Sequence, residues 1–237
     1  MTGWGELGAA ALDLLVPQAC AGCGRPGVAW CAACARSCMG GPLVVPGQLP
    51  TAAASAHAGP AAAAVSAYKD AGAHRLGGPL AGLLAGAVVT VVDGLPGPPA
   101  LPIWLVPVPA RRDARRTRGM DHMRELAGRA AGRLRRAGRP ANRLDALHHV
   151  GTSRDQVGLD RGQRHANVRG TLAAAGPLPS GLFVVVDDVT TTGATLGEAA
   201  RALRVADPRA RLAAATITWA RPTSAAHPHL ASPRGHD

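Results

Sequence analysis

Apolar runs along this chain alternate between the period of a strand and the period of a helix. Short apolar runs predict strands over residues 103–108, 182–186, which is fully apolar, and 212–219, which contains two Thr. Apolar positions three and four residues apart predict helices over residues 5–16, 123–138 and 195–205. Strands that alternate with helices in this way predict an α/β fold, in which helices flank a mostly parallel sheet.

One apolar segment, residues 75–92, has no clear period, so it predicts either a buried helix or a helix followed by a strand. Its most apolar part, residues 80–92, is too short to span a bilayer. The N-terminus carries Glu6 and Asp13, which is not typical of a secretory signal. These features predict a soluble, cytoplasmic protein.

The distribution of Pro, Gly, Ala and Ser predicts the domain boundaries. Residues 42–60 are rich in these four types and are typical of a joint. We therefore expect an N-terminal helix and cysteine module over residues 1–50 and an α/β domain over residues 51–220. Residues 221–237 lack periodicity and predict a disordered tail.

The charge of the chain favours an anionic partner. The formal net charge is +11, and Lys69 is the single lysine among 26 basic residues. Such an excess suits a nucleic acid, a phosphate metabolite or an acidic protein, although an arginine-rich composition also results from coding bias. Residues 111–143 alone hold twelve Arg and three acids. The loop at residues 111–118 predicts a diphosphate clamp or a polyanion-binding surface, whereas Arg129, Arg133 and Arg136 predict a solvated helix face.

All five cysteines lie between residues 20 and 38, which suits a metal site better than a disulfide framework. Two C-x2-C pairs predict a closed structural zinc site with the ligands Cys20, Cys23, Cys31 and Cys34. Three glycines, at positions 22, 24 and 27, permit the tight turns of such a site. Cys38 is left over and is an alternative to Cys34 as a ligand. A redox-active pair and metal-free thiols are the other interpretations.

Residues 183–195 combine a buried strand, two acids and a Thr-rich turn: Phe-Val-Val-Val-Asp-Asp-Val-Thr-Thr-Thr-Gly-Ala-Thr. Ligands of doubly wound sheets bind at the carboxyl ends of strands, which is where Asp187 and Asp188 fall. The spacing of Thr195 and Glu198 predicts a capping box and hence a helix N-terminus, which favours anions. We predict that the acids bind sugar hydroxyls or a cation. The predicted phosphate-binding residues are Thr190, Thr191, Thr192, Gly193, Ala194 and Thr195. An ordinary strand–turn–helix junction is the alternative.

This segment resembles the PRPP-binding signature of type I phosphoribosyltransferases. Further stretches are similar to the ComF (competence-associated, GntX-like) family: the cysteine module and the segments at residues 67–70, 106–109, 118–121 and 154–170. The resemblance covers roughly residues 7–220 and implies a type I phosphoribosyltransferase-like fold.

The resemblance also implies a function. Asp187 and Asp188 would hold the ribose of PRPP, the loop its 5-phosphate, and Mg²⁺ would bridge diphosphate and ribose. Lys69 or Arg111 would stabilise the leaving diphosphate if the protein is a transferase, and residues 154–167 would cover the site. The alternative implied by the family name is an accessory protein of competence and DNA uptake, which binds single-stranded DNA through its arginines. Few aromatic residues are present to stack on bases.

Overall fold

The α/β fold predicted from the pattern is present in the computed structural model, which describes residues 19–70, 73–97, 102–110, 121–150 and 168–221. Its main sheet has six strands in the order β1-β2-β8-β7-β3-β4. These are β1 (Leu43–Val45), β2 (Thr51–Ala56), β3 (Ile103–Pro107), β4 (Ala141–Arg143), β7 (Leu182–Thr190) and β8 (Arg211–Trp219). Every neighbouring pair is parallel except β1 and β2. The sheet is therefore mixed but mostly parallel, and its parallel strands end at one common edge.

Helices cover both faces of the sheet. On one face lie α3 (Gly77–Asp93) and α4 (His122–Arg136), and on the other lies α5 (Ala194–Ala206). Two shorter helices, α1 (Ala32–Ser37) and α2 (Gly59–Asp70), precede them. A small antiparallel ribbon of β5 (Leu147–His149) and β6 (Leu172–Ala174) contacts α5. The two cores follow the alternation of the strands: Val184 and Val186 pack with α3 and α4, whereas Phe183 and Val185 pack with α5.

Helix α4 forms where its apolar stripe predicted it. The stripe is buried and consists of Met123, Leu126, Ala127, Ala130 and Leu134. Asp121 caps the helix, since its Oδ1 accepts a hydrogen bond of 3.2 Å from the backbone N–H of Arg124. The opposite face is exposed and carries the three arginines expected there.

The ambiguous segment 75–92 is a helix throughout. A short 3-10 turn, His74–Leu76, leads directly into α3. Together they make a 20-residue stretch, His74–Asp93, that is long and apolar enough to cross a membrane, by length and composition only. Half of its most apolar window is buried inside the protein, and α3 contacts β2, β8 and α4. Its apolar character is thus explained by its place in the core.

The interpretation of residues 42–60 as a joint is wrong, because this segment contributes β1 and β2 to the main sheet. Residues Thr51, Ala52 and Ala53 of β2 are buried, and β2 pairs with β8 along its length. Small side chains fit here because a helix packs closely against the strand. The prediction failed because a buried strand made of Ala and Ser has the same composition as a linker.

Several predictions fall outside the described residues. These are the helix at residues 5–16, the basic turn with Arg111, the covering segment 154–167 and the tail beyond residue 221.

Candidate functional site

The two adjacent acids of β7 lie on opposite faces of the sheet. Asp187 continues the face of Val185 and lines a cavity beside the start of α5. Asp188 continues the face of Val186, where its Oδ2 lies 2.7 Å from Nζ of Lys69 in α2. The structure brings Asp187, Asp188 and Lys69 together at the carboxyl edge: Lys69 contacts Asp188, whereas Asp187 lines the cavity. Sequence alone treated them as one unit.

The electrostatics of Asp187 follow from its crowded position. Burial, followed by the negative charge of Asp188, raises the pKa of Asp187 well above its usual value. Two contacts oppose this shift: the backbone N–H of Asp188 donates to Oδ1 of Asp187 at 2.9 Å, and the ammonium of Lys69 is close by. The site therefore holds Asp187 as a carboxyl group that is costly to ionise unless a ligand or cation compensates it.

Lys69 is held by its neighbour in α2. The Tyr68 side chain is 2% exposed, and its hydroxyl donates a hydrogen bond of 2.8 Å to Oε2 of Glu125 in α4. Burial and this carboxylate raise the pKa of the Tyr68 hydroxyl, so it stays a donor. The last turn of α2 is thereby fixed against α4, which positions Lys69 beside Asp188.

The Thr-rich turn encloses a cavity of about 390 Å³ between β7 and α5. Its lining includes Asp187 and all six predicted phosphate-binding residues, Thr190, Thr191, Thr192, Gly193, Ala194 and Thr195. Gly193 has φ 78°, a left-handed conformation that favours glycine, and it starts α5 without any side-chain cap. The first N–H groups of α5 are consequently left for a ligand at this end of the helix.

The predicted capping box is wrong, because α5 begins at Ala194, one residue before Thr195. Glu198 instead points to β6, where it accepts a hydrogen bond of 3.1 Å from the N–H of Leu172 and pairs with Arg201 at 2.7 Å. The Arg201 guanidinium and these N–H bonds lower the pKa of Glu198 to about 2, although burial opposes the shift. Glu198 thus fastens the β5–β6 ribbon to the helix that begins at the cavity.

Two residues at this edge were missed by the sequence analysis. Trp219 ends β8, and its Nε1 donates to the carbonyl oxygen of Thr191 at 3.2 Å. His57 follows β2, and its N–H donates to the carbonyl oxygen of Trp219 at 2.8 Å. Both residues could have been found from their position, because each lies at the carboxyl end of a parallel strand. His57 was missed because β2 itself was not predicted.

Most arginines of residues 121–150 already bind another group of the protein, so fewer of them are open to an anionic partner than the sequence suggested. Within residues 121–150, six of the seven arginines bind a carboxylate or a backbone carbonyl oxygen. For example, Arg139 forms two hydrogen bonds with Asp93, at 2.6 and 2.9 Å. The position of Arg111 cannot be compared with the cavity, since it lies outside the described residues.

The predicted metal ligands come together in space. The sulfur atoms of Cys20, Cys23, Cys31 and Cys34 all lie within 4.8 Å of one another, close enough to bind one metal ion. Cys38 is buried separately, with its Sγ 3.2 Å from the carbonyl oxygen of Cys34. The cluster therefore contains Cys34 rather than Cys38.

The thiols of this cluster have divergent acidities. Burial would raise the pKa of Cys20, but backbone N–H groups of Cys31, Cys23 and Gly22 lower it to about 6. Burial and the neighbouring sulfur atoms raise the pKa of Cys34. Four crowded thiols cannot all ionise without a cation to compensate them.

Glycines shape the turns of the cysteine module in two ways. Gly24 and Gly27 have φ of 74° and 86°, as expected for tight turns. Gly22 is required for a different reason: a Cβ there would lie 2.7 Å from Cβ of Pro60 and 2.9 Å from Sγ of Cys34. The module thus packs directly against the first turn of α2.

A second cavity, of about 450 Å³, lies between the cysteine module and α3. Its lining is mostly apolar, and the one charged side chain there, Arg133, already donates to the carbonyl oxygen of Gly78 at 3.0 Å. The polar groups suited to a charged ligand are therefore found at the β7–α5 cavity. Comparison with models of known protein families and with curated protein sequences finds no match for this chain.

Proposed function

We propose that this chain is a phosphoribosyltransferase-like protein that binds PRPP with Mg²⁺, or a nucleotide, in the β7–α5 cavity. The observation that carries the proposal is the shared lining: one carboxyl group and an uncapped helix N-terminus face the same 390 Å³ space. A sugar phosphate needs both, because its phosphate suits amide and hydroxyl donors and its hydroxyls suit a carboxylate.

The phosphate in this proposal is bound by the turn and not by a cationic side chain. The four threonines that line the cavity and the N–H groups at Gly193 and Ala194 supply donors around it. The sugar lies towards Asp187, which accepts from its hydroxyl groups. The turn follows the two acids along the chain, so a phosphate bound at the turn lies away from the carboxylates that would repel it.

Lys69 balances the charge of the site. Its ammonium compensates Asp188, so the acid pair carries a smaller net negative charge towards an anionic ligand. If the protein is a transferase, the bond from ribose C1 to diphosphate breaks as the acceptor bonds to C1. Mg²⁺ would neutralise the departing diphosphate, and Asp187 would hold the ribose in place.

The cysteine cluster is proposed to hold structural zinc. Four sulfur donors in a closed set, three of them 3–5% exposed, match the preference of Zn²⁺ for thiolates. No open position for a substrate is needed in such a site. In this proposal the metal stabilises the cysteine module, and the sugar phosphate binds in the β7–α5 cavity.

Binding of ribose 5-phosphate and of PRPP–Mg²⁺ tests this function by calorimetry and thermal unfolding. The wild type should bind both, and a ligand at a hundred times its Kd should stabilise the fold by about 2.7 kcal/mol. Asp187→Asn combined with Asp188→Asn should abolish binding. Asp207→Asn, at the far end of α5, is the matched control and should bind as the wild type does. Absence of binding by the wild type would refute the proposal.

A further inference from the structure

We propose that Val168 is a specificity-determining residue of the β7–α5 cavity and that Glu198 is its positioning residue. Val168 packs against the C–H face of a bound sugar, so the site takes a phosphate ester in preference to free phosphate. This inference rests on the proposed function and deepens it by naming the residues through which the site selects its ligand class.

Three larger apolar side chains line the cavity, and two of them are already packed inside the protein. Leu196 is 2% exposed and belongs to the core on the α5 side of the sheet, and Val189 packs against the core under α3. Val168 is half-buried and belongs to neither core. Among the described lining residues, its methyl groups are therefore the larger apolar surface left for a ligand.

An apolar wall beside a carboxyl group suits a sugar. The hydroxyl groups of the sugar hydrogen-bond with Asp187, while its C–H face is apolar and gains free energy when it leaves water. Free phosphate has no C–H surface, so it gains nothing from Val168. The contact therefore discriminates between an ester and the free anion, since both place a phosphate at the turn and only one carries a sugar.

The position of Val168 is fixed by a four-residue turn. Its carbonyl oxygen accepts hydrogen bonds from the backbone N–H of Thr171 at 3.2 Å and from the Thr171 hydroxyl at 2.6 Å. Gly170, the third residue of the turn, has φ 80°, a left-handed conformation that favours glycine. The turn thus sets the direction in which the Val168 side chain leaves the backbone.

Glu198 and Arg201 fasten this turn to α5. Glu198 is 4% exposed and accepts a hydrogen bond of 3.1 Å from the N–H of Leu172, the residue after the turn. The backbone N–H of Gly170 also helps to lower the pKa of Glu198. Arg201 donates to the carbonyl oxygen of Leu172 at 2.9 Å and to both carboxylate oxygens of Glu198, at 2.7 and 2.8 Å. Val168 is therefore held in the cavity wall through the Glu198 carboxylate.

The position and the charge of Glu198 predict opposite effects on binding. Ala194 lines the cavity and lies four residues before Glu198, so the two share one face of α5, about one helical turn apart. If only charge mattered, removing a carboxylate so close to a bound phosphate would strengthen the binding. Loss of the anchor weakens the contact between Val168 and the sugar instead. The direction of the change separates the two roles.

The first test compares ribose 5-phosphate with inorganic phosphate by calorimetry, with inorganic phosphate measured by competition. The wild type should bind ribose 5-phosphate more tightly. Val168→Ala should lower the affinity for ribose 5-phosphate about fivefold, as expected for partial burial of two methyl groups, and should leave that for inorganic phosphate unchanged. Val205, near the end of α5, is 72% exposed, so Val205→Ala is the matched control and should change neither affinity.

The second test is a double-mutant cycle. Glu198→Gln, measured below its unfolding temperature, should lower the affinity for ribose 5-phosphate about fivefold and should cost little more in the presence of Val168→Ala, because it acts through Val168. Thr171→Val removes the hydroxyl bond to Val168 with less disturbance of the fold and should lower this affinity about threefold. Arg139→Gln, which breaks the ion pair with Asp93, controls for lost stability and should bind as the wild type does.

Four results would overturn the inference while leaving the proposed function intact. The wild type could bind inorganic phosphate as tightly as ribose 5-phosphate, or Val168→Ala could change both affinities equally or neither. Glu198→Gln could bind ribose 5-phosphate more tightly, or its loss could add in full to that of Val168→Ala. If the wild type binds neither ribose 5-phosphate nor PRPP–Mg²⁺, the proposed function fails and the inference fails with it.

Discussion

The ammonium of Lys69 lies 2.7 Å from a carboxylate oxygen of Asp188, on the face of β7 opposite to the cavity. The single lysine of the chain thus contacts β7 but is not among the residues that line the β7–α5 cavity. We infer that its first role is to balance charge. Replacing it tests that role separately from any contact with a ligand.

Lys69→Met should weaken the binding of ribose 5-phosphate about tenfold, since an uncompensated Asp188 would repel the anion through the strand. Lys69→Arg keeps the positive charge and should stay within about threefold of the wild type. Calorimetric titration measures both. Tighter binding by the methionine variant would contradict the role.

Asp187→Asn should stabilise the protein at neutral pH while abolishing ligand binding. The pKa of Asp187 is raised in the folded protein, so its ionised form costs stability above its usual pKa of about 3.8. The variant should therefore unfold at least about 2 °C above the wild type at pH 7, the shift expected for about 1 kcal/mol in a chain of this size. The difference should vanish as the pH falls below that usual value. Thermal unfolding from pH 3 to 8 checks this, and a variant less stable at pH 7 would count against it.

Trp219→Phe should lower the affinity for ribose 5-phosphate about fivefold. The indole N–H that holds the carbonyl oxygen of Thr191 is lost, and one hydrogen bond is worth about 1 kcal/mol. Trp104→Phe is the matched control, because its Nε1 donates to the carbonyl oxygen of Ser180 at the opposite edge of the sheet. Equal effects of the two variants would mean that Trp219 acts through general stability alone.

Cys34→Ser should reduce the metal content of the purified protein from about one zinc per chain and should lower the unfolding temperature. Cys38→Ser should leave both unchanged apart from a small packing effect, because Cys38 lies outside the sulfur cluster. Elemental analysis together with thermal unfolding measures the pair. Loss of metal in the Cys38 variant would reassign the fourth ligand.

Glu198→Gln should lower the free energy of unfolding by about 2 kcal/mol relative to the wild type at pH 7, because the buried charge-assisted hydrogen bonds to Arg201 and Leu172 are weakened. The pKa of Glu198 is lowered to about 2 from an ordinary 4.5. Its contribution is therefore complete above about pH 4.5 and is lost as the pH falls towards 2. Denaturant unfolding at pH 7 and pH 3 should show a smaller difference between the proteins at the lower pH.

Much of the architecture could be predicted because apolar patterns mark buried surfaces. The stripe of α4 and the apolar run of β7 each have one simple physical cause, burial on one face or on two. The cysteine cluster could also be predicted, since each C-x2-C turn brings two sulfur atoms together and only seven residues separate the two turns.

Other features depend on contacts between distant residues and left no local signal. Strand β2 is made of Thr, Ala and Ser, and only its pairing with β8 shows that it belongs to the sheet. Glu198 was assigned to a cap by its spacing, but the N–H of Leu172, 26 residues away, determines its partner. Lys69 was named for the site only through the resemblance, and Trp219, which contacts the turn at Thr191, was missed because it reaches the turn only through folding.

Helix α2 spans only twelve residues. Its first turn abuts the cysteine module at Pro60, and its last turn carries the lysine that neutralises Asp188. The two contacts therefore lie at opposite ends of one short helix. If the cluster binds zinc and the cavity binds a ligand, as we propose, metal depletion should also change the charge balance of the acid pair, and the affinity for the ligand should then depend on metal occupancy.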